Sequence, residues 1–399
     1  MHRYWRLGLA LLLGKIAYLG IICLAVQLWP DLDGANADRV REVWFPTEST
    51  PRYSGLARHF ATWDSEHYLY LSTAGYSPDA RSIAFYPLWP LLIRGGAAVT
   101  GASGLVAGLV LANVLSLLGW LLFHHVTSSR LGERSANLAL ALLLAFPGSL
   151  FFQFGYSESL FFLLLMTLWW GMERNRYQVA WCAGFLAPLA RGVGVFGVIP
   201  ICWHWTVDQR RTRLARRAVS IAERSHEPHT EGTSGSGSTL LLAAPLIGWG
   251  TYLCLMWLWT GSPFAGLDAQ RYWGAHAIGN LWDVSKFIAG FFRYSEWHAF
   301  SGSLLDRLAF LLLLNAIPSL WRVGKDLLVW VYALGVIPAM SGTFVSFVRF
   351  EACAFPVFIG WAVMLLGWRG RWPAAVFLIV NVLLHGVLLW QFVNFRWAG

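Results

Sequence analysis

The sequence is poor in charge. Asp, Glu, Lys and Arg make up 13% of its 399 residues, against 57% hydrophobic and 16% aromatic. So few charges cannot cover that much apolar side chain in water, which excludes an ordinary soluble domain. Cysteine is scarce as well. Cys23, Cys182, Cys202, Cys254 and Cys353 each stand alone in an apolar stretch, which excludes a disulfide framework or a thiolate metal site. Two short motifs lack the context that would give them meaning. Gly192-Val193-Gly194-Val195-Phe196-Gly197 fits a dinucleotide fingerprint in letters only, because no strand precedes it. Asp31-Leu32-Asp33 follows an apolar run directly, with no α/β domain to hold a nucleotide sugar. The net charge of +9 does not signal nucleic acid, since the arginines sit in short loops between apolar runs, as the positive-inside effect requires.

What is abundant is apolar chain in lengths near the roughly 20 residues that cross a bilayer. Candidate spans are 7–29, 104–126, 136–153, 156–172, 178–191, 193–206, 239–260, 303–320, 327–345, 352–368 and 373–395. The first is too long for a signal peptide and has no small-residue cleavage site after it, so it reads as a retained span. Pro147, Pro188 and Pro200 break the middle group, which is tolerated where neighbouring helices cover the freed backbone groups. The expectation is an all-α polytopic membrane protein of about eleven transmembrane helices. Residues 1–206 form an N-terminal module with a long external loop at 30–84, 207–238 a flexible basic linker, and 239–399 a C-terminal module. Arg3 and Arg6, Arg130 and Arg134, Arg174 and Arg176, Arg210 to Arg224, Arg322 and Lys325, and Arg369 and Arg371 all fall on one side of these spans. That side, with the N-terminus, is expected to be cytoplasmic.

The chemistry is expected in the first external loop. In Trp63-Asp64-Ser65-Glu66-His67-Tyr68-Leu69-Tyr70-Leu71-Ser72-Thr73-Ala74-Gly75, Trp63, His67, Tyr70 and Ala74 recur at helical spacing and Gly75 is a plausible terminator. The segment reads as a short amphipathic helix on the outer membrane surface. Asp64 opens it, where the helix dipole favours a carboxylate. It is either a general base for a substrate hydroxyl or an ordinary cap. Glu66 and Tyr68 are candidate sugar or acceptor contacts. His67 would hold a phosphate once protonated. Phe85-Tyr86-Pro87-Leu88-Trp89-Pro90 suits a re-entrant or interfacial element.

These residues resemble the PIG-V family, the GPI second-mannose transferases of the GT-C membrane glycosyltransferase superfamily. Trp63-Asp64 with His67-Tyr68-Leu69 is similar to the family's first-loop signature, and Phe85 to Pro90 to its FFPLYP-like element. Phe146-Pro147 with Tyr156-Ser157-Glu158-Ser159, Leu189-Ala190-Arg191-Gly192, Gly261-Ser262-Pro263-Phe264 with Ala269-Gln270-Arg271-Tyr272-Trp273-Gly274, and Val348-Arg349-Phe350 are similar to later motifs. Ser262 stands where the family commonly has Asp, and Phe350 where it has Tyr. The resemblance implies a GT-C-type bundle, a polyprenyl-phosphate-linked sugar donor (usually mannose), an extracytoplasmic site, inversion at the sugar carbon, and Asp64 as base. On that reading Arg191, Arg349 and Arg271 stand at external span ends to meet the donor phosphate, or else snorkel to headgroups. Tyr156, Glu158, Gln270 and Trp273 would bind the sugar or acceptor, although Glu158 would serve equally as a structural partner for an arginine. No tight carboxylate cluster stands outside, so no metal or other cofactor is expected. Composition and compact loops suggest a bacterial inner membrane and an acceptor other than a GPI lipid: a glycolipid, glycan or protein. The competing functions are a transporter or flippase, which would place its polar groups near the midplane of two matching halves, and a non-catalytic scaffold subunit.

Overall fold

A computed structural model describes residues 2–28, 34–35, 38, 41, 45, 52–78, 80–222, 235–272, 277–293, 297 and 303–398. Asp31, Asp33 and Trp273 fall outside the described residues. Those described are helical or irregular, with no strand among them. The helices are α1 (His2–Leu28), α2 (Leu56–Phe60), α3 (Asp64–Ala74), α4 (Leu88–Thr100), α5 (Gly104–Leu131), α6 (Glu133–Ala145), α7 (Glu158–Glu173), α8 (Tyr177–Ala190), α9 (Val198–Ala222), α10 (Gly235–Leu241), α11 (Ala243–Thr260), α12 (Ala265–Ala269), α13 (Val284–Phe292), α14 (Leu305–Val323), α15 (Lys325–Val331), α16 (Ile337–Gly342), α17 (Phe347–Glu351), α18 (Pro356–Gly367) and α19 (Trp372–Val393).

Helices occupy all the predicted spans. Among the described residues, Tyr4–Leu28, Gly104–Leu131, Ser238–Thr260 and Trp372–Val393 are each long and apolar enough to cross a bilayer unaided. The chain is an integral membrane protein. The other predicted spans are shorter helices, several interrupted by irregular turns, and the interruptions are where polar side chains are needed. Between α6 and α7, residues 147–152 tighten into a 3₁₀ turn after Pro147, which frees carbonyls in the apolar interior. Side chains from elsewhere in the chain answer them. Lys15 of α1 donates to the Phe152 carbonyl at 3.3 Å, to Asn113 Oδ1 at 2.9 Å and to Gln153 Oε1 at 3.3 Å. Asn113 donates to the Gln153 carbonyl and Trp89 to that of Gly155. Unpaired groups there would cost several kcal/mol each, so a buried lysine is tolerated as a donor to backbone.

One end of the bundle is tied together by ion pairs. Arg130, in the last turn of α5, meets both oxygens of Asp326 at 2.5 and 2.6 Å and Glu173 at 3.1 Å. This ties together the ends of α5 and α7 and the start of α15. Tyr4 reaches His125 at 2.9 Å, which sets the start of α1 at the same end. The turns that carry Arg130, Arg174 and Lys325 and the start of α1 thus share one end of the bundle.

Two sequence expectations differ from the structure. Residues 207–222, expected as flexible linker, continue α9 as helix. Their Arg, Ala and Leu are strong helix formers; residues 223–234 lie outside the described part. The helix opened by Asp64 forms and ends at Gly75, φ 80°, but it does not lie on a surface. Ser65 and His67 to Ser72 are all buried, because α4, α5 and the 81–84 turn pack around it. Phe85 to Pro90 leads into α4, with Pro87 and Pro90 at its cap and first turn, where no amide hydrogen is needed.

Candidate active site

At the end of the bundle opposite Arg130, four charged side chains meet. Arg349 donates through Nη1 to Asp64 Oδ2 and through Nε to Glu158 Oε1. Arg191 donates through Nη1 to the same Oε1 of Glu158. The result is an unbroken chain, Asp64–Arg349–Glu158–Arg191, with two charges of each sign. Its members come from four elements, and three of them stand where a helix begins or ends. Asp64 and Glu158 are the first residues of α3 and α7, and Arg191 follows the last residue of α8. Helix dipoles favour anions at N-termini and cations at C-termini, so each of these charges sits where its own helix supports it. The breaks that produce those termini are written locally, in Pro188 near the end of α8 and the irregular 153–157 stretch before α7.

Burial grades the four. The Glu158 side chain is 1% exposed, Arg349 7%, Arg191 11% and Asp64 13%. Asp64 is thus the most open member, and only its Oδ2 is taken by Arg349. The arginines are flanked by aromatic faces, Arg349 over Tyr156 at 4.6 Å and Arg191 over Phe350 at 4.6 Å. These cation–π contacts hold the guanidinium groups without neutralising them. Tyr68 lies in the field of all four charges and hydrogen-bonds Ser157 at 2.8 Å. Burial raises its phenol, so it is present as a hydroxyl.

The backbone around these groups is strained. Trp63, immediately before Asp64, has φ 55°; Thr343, Phe344 and Ser346, just before α17, have φ 46°, 70° and 58°. Non-glycine residues hold such angles only where surrounding packing dictates them, and they gather at functional sites. Asp306 Oδ1 accepts from the Val348 amide at 2.7 Å and so fixes the start of the short helix that bears Arg349.

The other expected site residues are placed around this chain with differing roles. Glu66 faces away from it toward Arg41, at 3.3 Å. Burial pushes its carboxyl up to about 7, with Arg41 and Arg58 pulling the other way. His67 hydrogen-bonds Ser82 at 2.8 Å and stacks on Phe85 at 4.8 Å. Burial lowers its imidazole to about 4, so it is neutral at physiological pH. Gln270 donates to the Ala84 carbonyl at 2.8 Å, a link between the second half of the chain and the loop behind Asp64. Arg271 is not drawn into the cluster; its guanidinium is exposed and contacts Tyr272. The glycines of the false dinucleotide fingerprint serve packing. A side chain at Gly192 would meet the Tyr86 hydroxyl, and one at Gly194 the Ala187 carbonyl.

Sequence reasoning passed over Asp306, Lys15 and Ser157. The signal for the first two was available: an ionisable residue inside an apolar run is costly and has a partner.

The sequence of residues 8–212, just over half of the chain, matches the family model described as Mannosyltransferase (PIG-V). The chain belongs to this PIG-V mannosyltransferase family. Curated relatives include the GPI alpha-1,6-mannosyltransferase 2 of Cricetulus griseus and of Mus musculus. Each is 31% identical over 157 residues, which is 37% of this chain and 31% of the relative. The Homo sapiens protein of the same name is 30% identical over the same length. The match thus spans under a third of the curated relatives' length. Among solved structures, the chain is similar to the archaeal oligosaccharyltransferase AglB from Archaeoglobus fulgidus, with a TM-score of 0.39 and 12% identity over 79% of this chain and 48% of that one. All four members of the charged chain except Arg349 lie inside the family match.

Proposed function

We propose that this PIG-V family member is an inverting, GT-C-type glycosyltransferase. It moves a sugar, most simply mannose, from a polyprenyl-phosphate donor to an acceptor hydroxyl at the membrane face that carries Asp64. The observation that carries this reading is the Asp64–Arg349–Glu158–Arg191 chain, with its one partly open carboxylate at the end. Asp64 Oδ1 receives the proton of the acceptor hydroxyl as its oxygen attacks the anomeric carbon. The bond from that carbon to the lipid phosphate breaks on the opposite side, and the phosphate leaves with its electron pair.

The leaving phosphate gains negative charge, and Arg349 and Arg191 are the groups to meet it. Glu158 fits a positioning role, since it is sealed from solvent and holds both arginines through one oxygen. A phosphate arriving beside Arg349 competes with Asp64 for the guanidinium, so donor binding loosens the carboxylate for its work as base. Two guanidinium groups supply the positive charge that a metal would otherwise provide, and the reaction is read as metal-independent. Tyr68 and Tyr156 border the same charges and suit hydrogen bonding or stacking to sugar. Gln270 remains a candidate contact; Trp273 lies outside the described residues.

The basic loops expected on one side of the spans favour the cytoplasm for the Arg130 end by the positive-inside effect. The site then faces the extracytoplasmic side, in a bacterium the outer face of the inner membrane, with all eleven predicted spans crossing. A flippase would place its transported charge near the midplane; here the ion-paired carboxylates and arginines of the site gather at one end.

The experiment is Asp64→Asn in reconstituted membranes supplied with polyprenyl-phosphate-mannose. A positioned general base contributes about 10²–10⁴-fold, so transfer per folded protein falls by that order, while the unfolding midpoint drops only by the loss of the Asp64–Arg349 ion pair. Wild-type transfer by the Asn variant would remove Asp64 from the chemistry.

A further inference from the structure

Helix α13 (Val284–Phe292) has three distinct faces. Phe287 and Phe291 point into the bundle, against Phe344 at 4.8 and 5.4 Å and Phe310 at 5.5 and 6.3 Å. Ser285, Lys286 and Arg293 form a polar face. The third face is apolar and uncovered. Val284, Ile288 and Phe292, spaced four apart on one side of the helix, are 52%, 51% and 76% exposed, and Trp282 at its entrance is 85% exposed. Leu308, Leu311 and Leu314 of the adjoining α14, an apolar helix of the bundle, are exposed as well.

The inner face of α13 connects to the charged chain. Asn280 Nδ2 and the Ala277 amide both donate to the Ser341 carbonyl, at 2.7 and 3.1 Å. Arg307 Nη2 donates to the Gly290 carbonyl at 2.7 Å. Phe344, on which Phe287 stacks, is one of the positive-φ residues immediately before α17, the helix bearing Arg349. Whatever covers the outer stripe of α13 therefore presses, through Phe287 and Phe291, on the strained turn behind Arg349.

We infer that α13 docks its Val284–Ile288–Phe292 stripe into the lipid surface at the Asp64 end of the bundle, and that this docking braces the 341–346 turn. Three features select lipid as the occupant. The stripe carries no hydrogen-bonding group. It lies on a helix packed against α14, whose Leu308, Leu311 and Leu314 are apolar and exposed as well. It is bordered by a tryptophan and by the cations Lys286 and Arg293, the pattern of a helix seated at the boundary of headgroups and acyl chains. The inference concerns a surface and a turn, and stands whether or not Asp64 is the base.

The test uses the full chain in nanodiscs of phosphatidylethanolamine and phosphatidylglycerol. Spin labels go singly on cysteines placed at 284, 286, 288 and 292, all exposed positions whose replacement leaves the core intact. Collision with lipid-soluble oxygen should exceed collision with a water-soluble nickel chelate at 284, 288 and 292, and the order should reverse at 286. Labels at the three stripe positions that favour the nickel chelate would overturn the inference. So would labels shielded from both reagents, which would indicate a second copy of the chain on that face. For the brace, hydrogen exchange of the 341–349 amides should quicken severalfold in an Ile288→Asp/Phe292→Asp variant in the same nanodiscs. Exchange unchanged from wild type, with the stripe no longer in lipid, would overturn that half.

Discussion

Replacing Glu158 by Gln isolates the electrostatics of the site from its shape. In the wild type, one oxygen of Glu158 accepts from both arginines, and its side chain is 1% exposed. Glutamine keeps that oxygen as an acceptor and removes the charge. The cluster then changes from neutral to a net +1. Asp64 still balances Arg349, and Arg191 loses its carboxylate. Breaking a buried ion pair costs about 3–5 kcal/mol. The amide oxygen retains both hydrogen bonds, which offsets part of this and leaves a loss of about 2–3 kcal/mol. The assay is the unfolding midpoint in lipid, read beside the transfer rate. Adding Arg191→Gln restores neutrality, so the double variant should regain about 1–2 kcal/mol over Glu158→Gln, within the range measured for coupled neighbours. Transfer should stay low in the double variant, because Arg191 is proposed to meet the donor phosphate. Additive effects of the two changes on the midpoint, or a Glu158→Gln protein as stable as wild type, would refute the reading of the four charges as one network.

Glu66 makes stability depend on pH. Its carboxyl is held at about 7 in the folded chain, above its ordinary 4.5. Its contribution is therefore fully present below pH 4.5 and lost as pH rises through 7. Glu66→Gln should match wild type near pH 5 and exceed it by about 2 kcal/mol at pH 8; an equal difference at both values contradicts the assignment. Lys15→Met removes the donor to the Phe152 carbonyl inside the bundle. It should lower stability by about 1–3 kcal/mol while the folded fraction keeps its transfer rate, measured by activity per folded protein. Gly148 packs against the Val348 carbonyl, one residue before Arg349. Gly148→Ala forces backbone apart there, at about 1–3 kcal/mol for an overpacked site, and should depress transfer as well as the midpoint. A Gly148→Ala enzyme with wild-type rate would show that Arg349 tolerates movement of its turn.

The sequence alone was enough for the helices and their approximate ends. Those are local properties. The length of an apolar run, a proline or glycine at its edge and the sign of charge in the next turn act over a few residues. Asp64 at a helix start was legible for the same reason, and so was the terminator Gly75. The depth of that helix was not legible, since burial on both faces depends on α4 and α5 folding over it. Only tertiary structure decided which charges meet. Arg349 lies 285 residues from Asp64 and 191 from Glu158, and no periodicity reaches that far. The pairing follows from helices that break at the same end of the bundle, where desolvated charges must find one another because lipid and apolar core offer them nothing else.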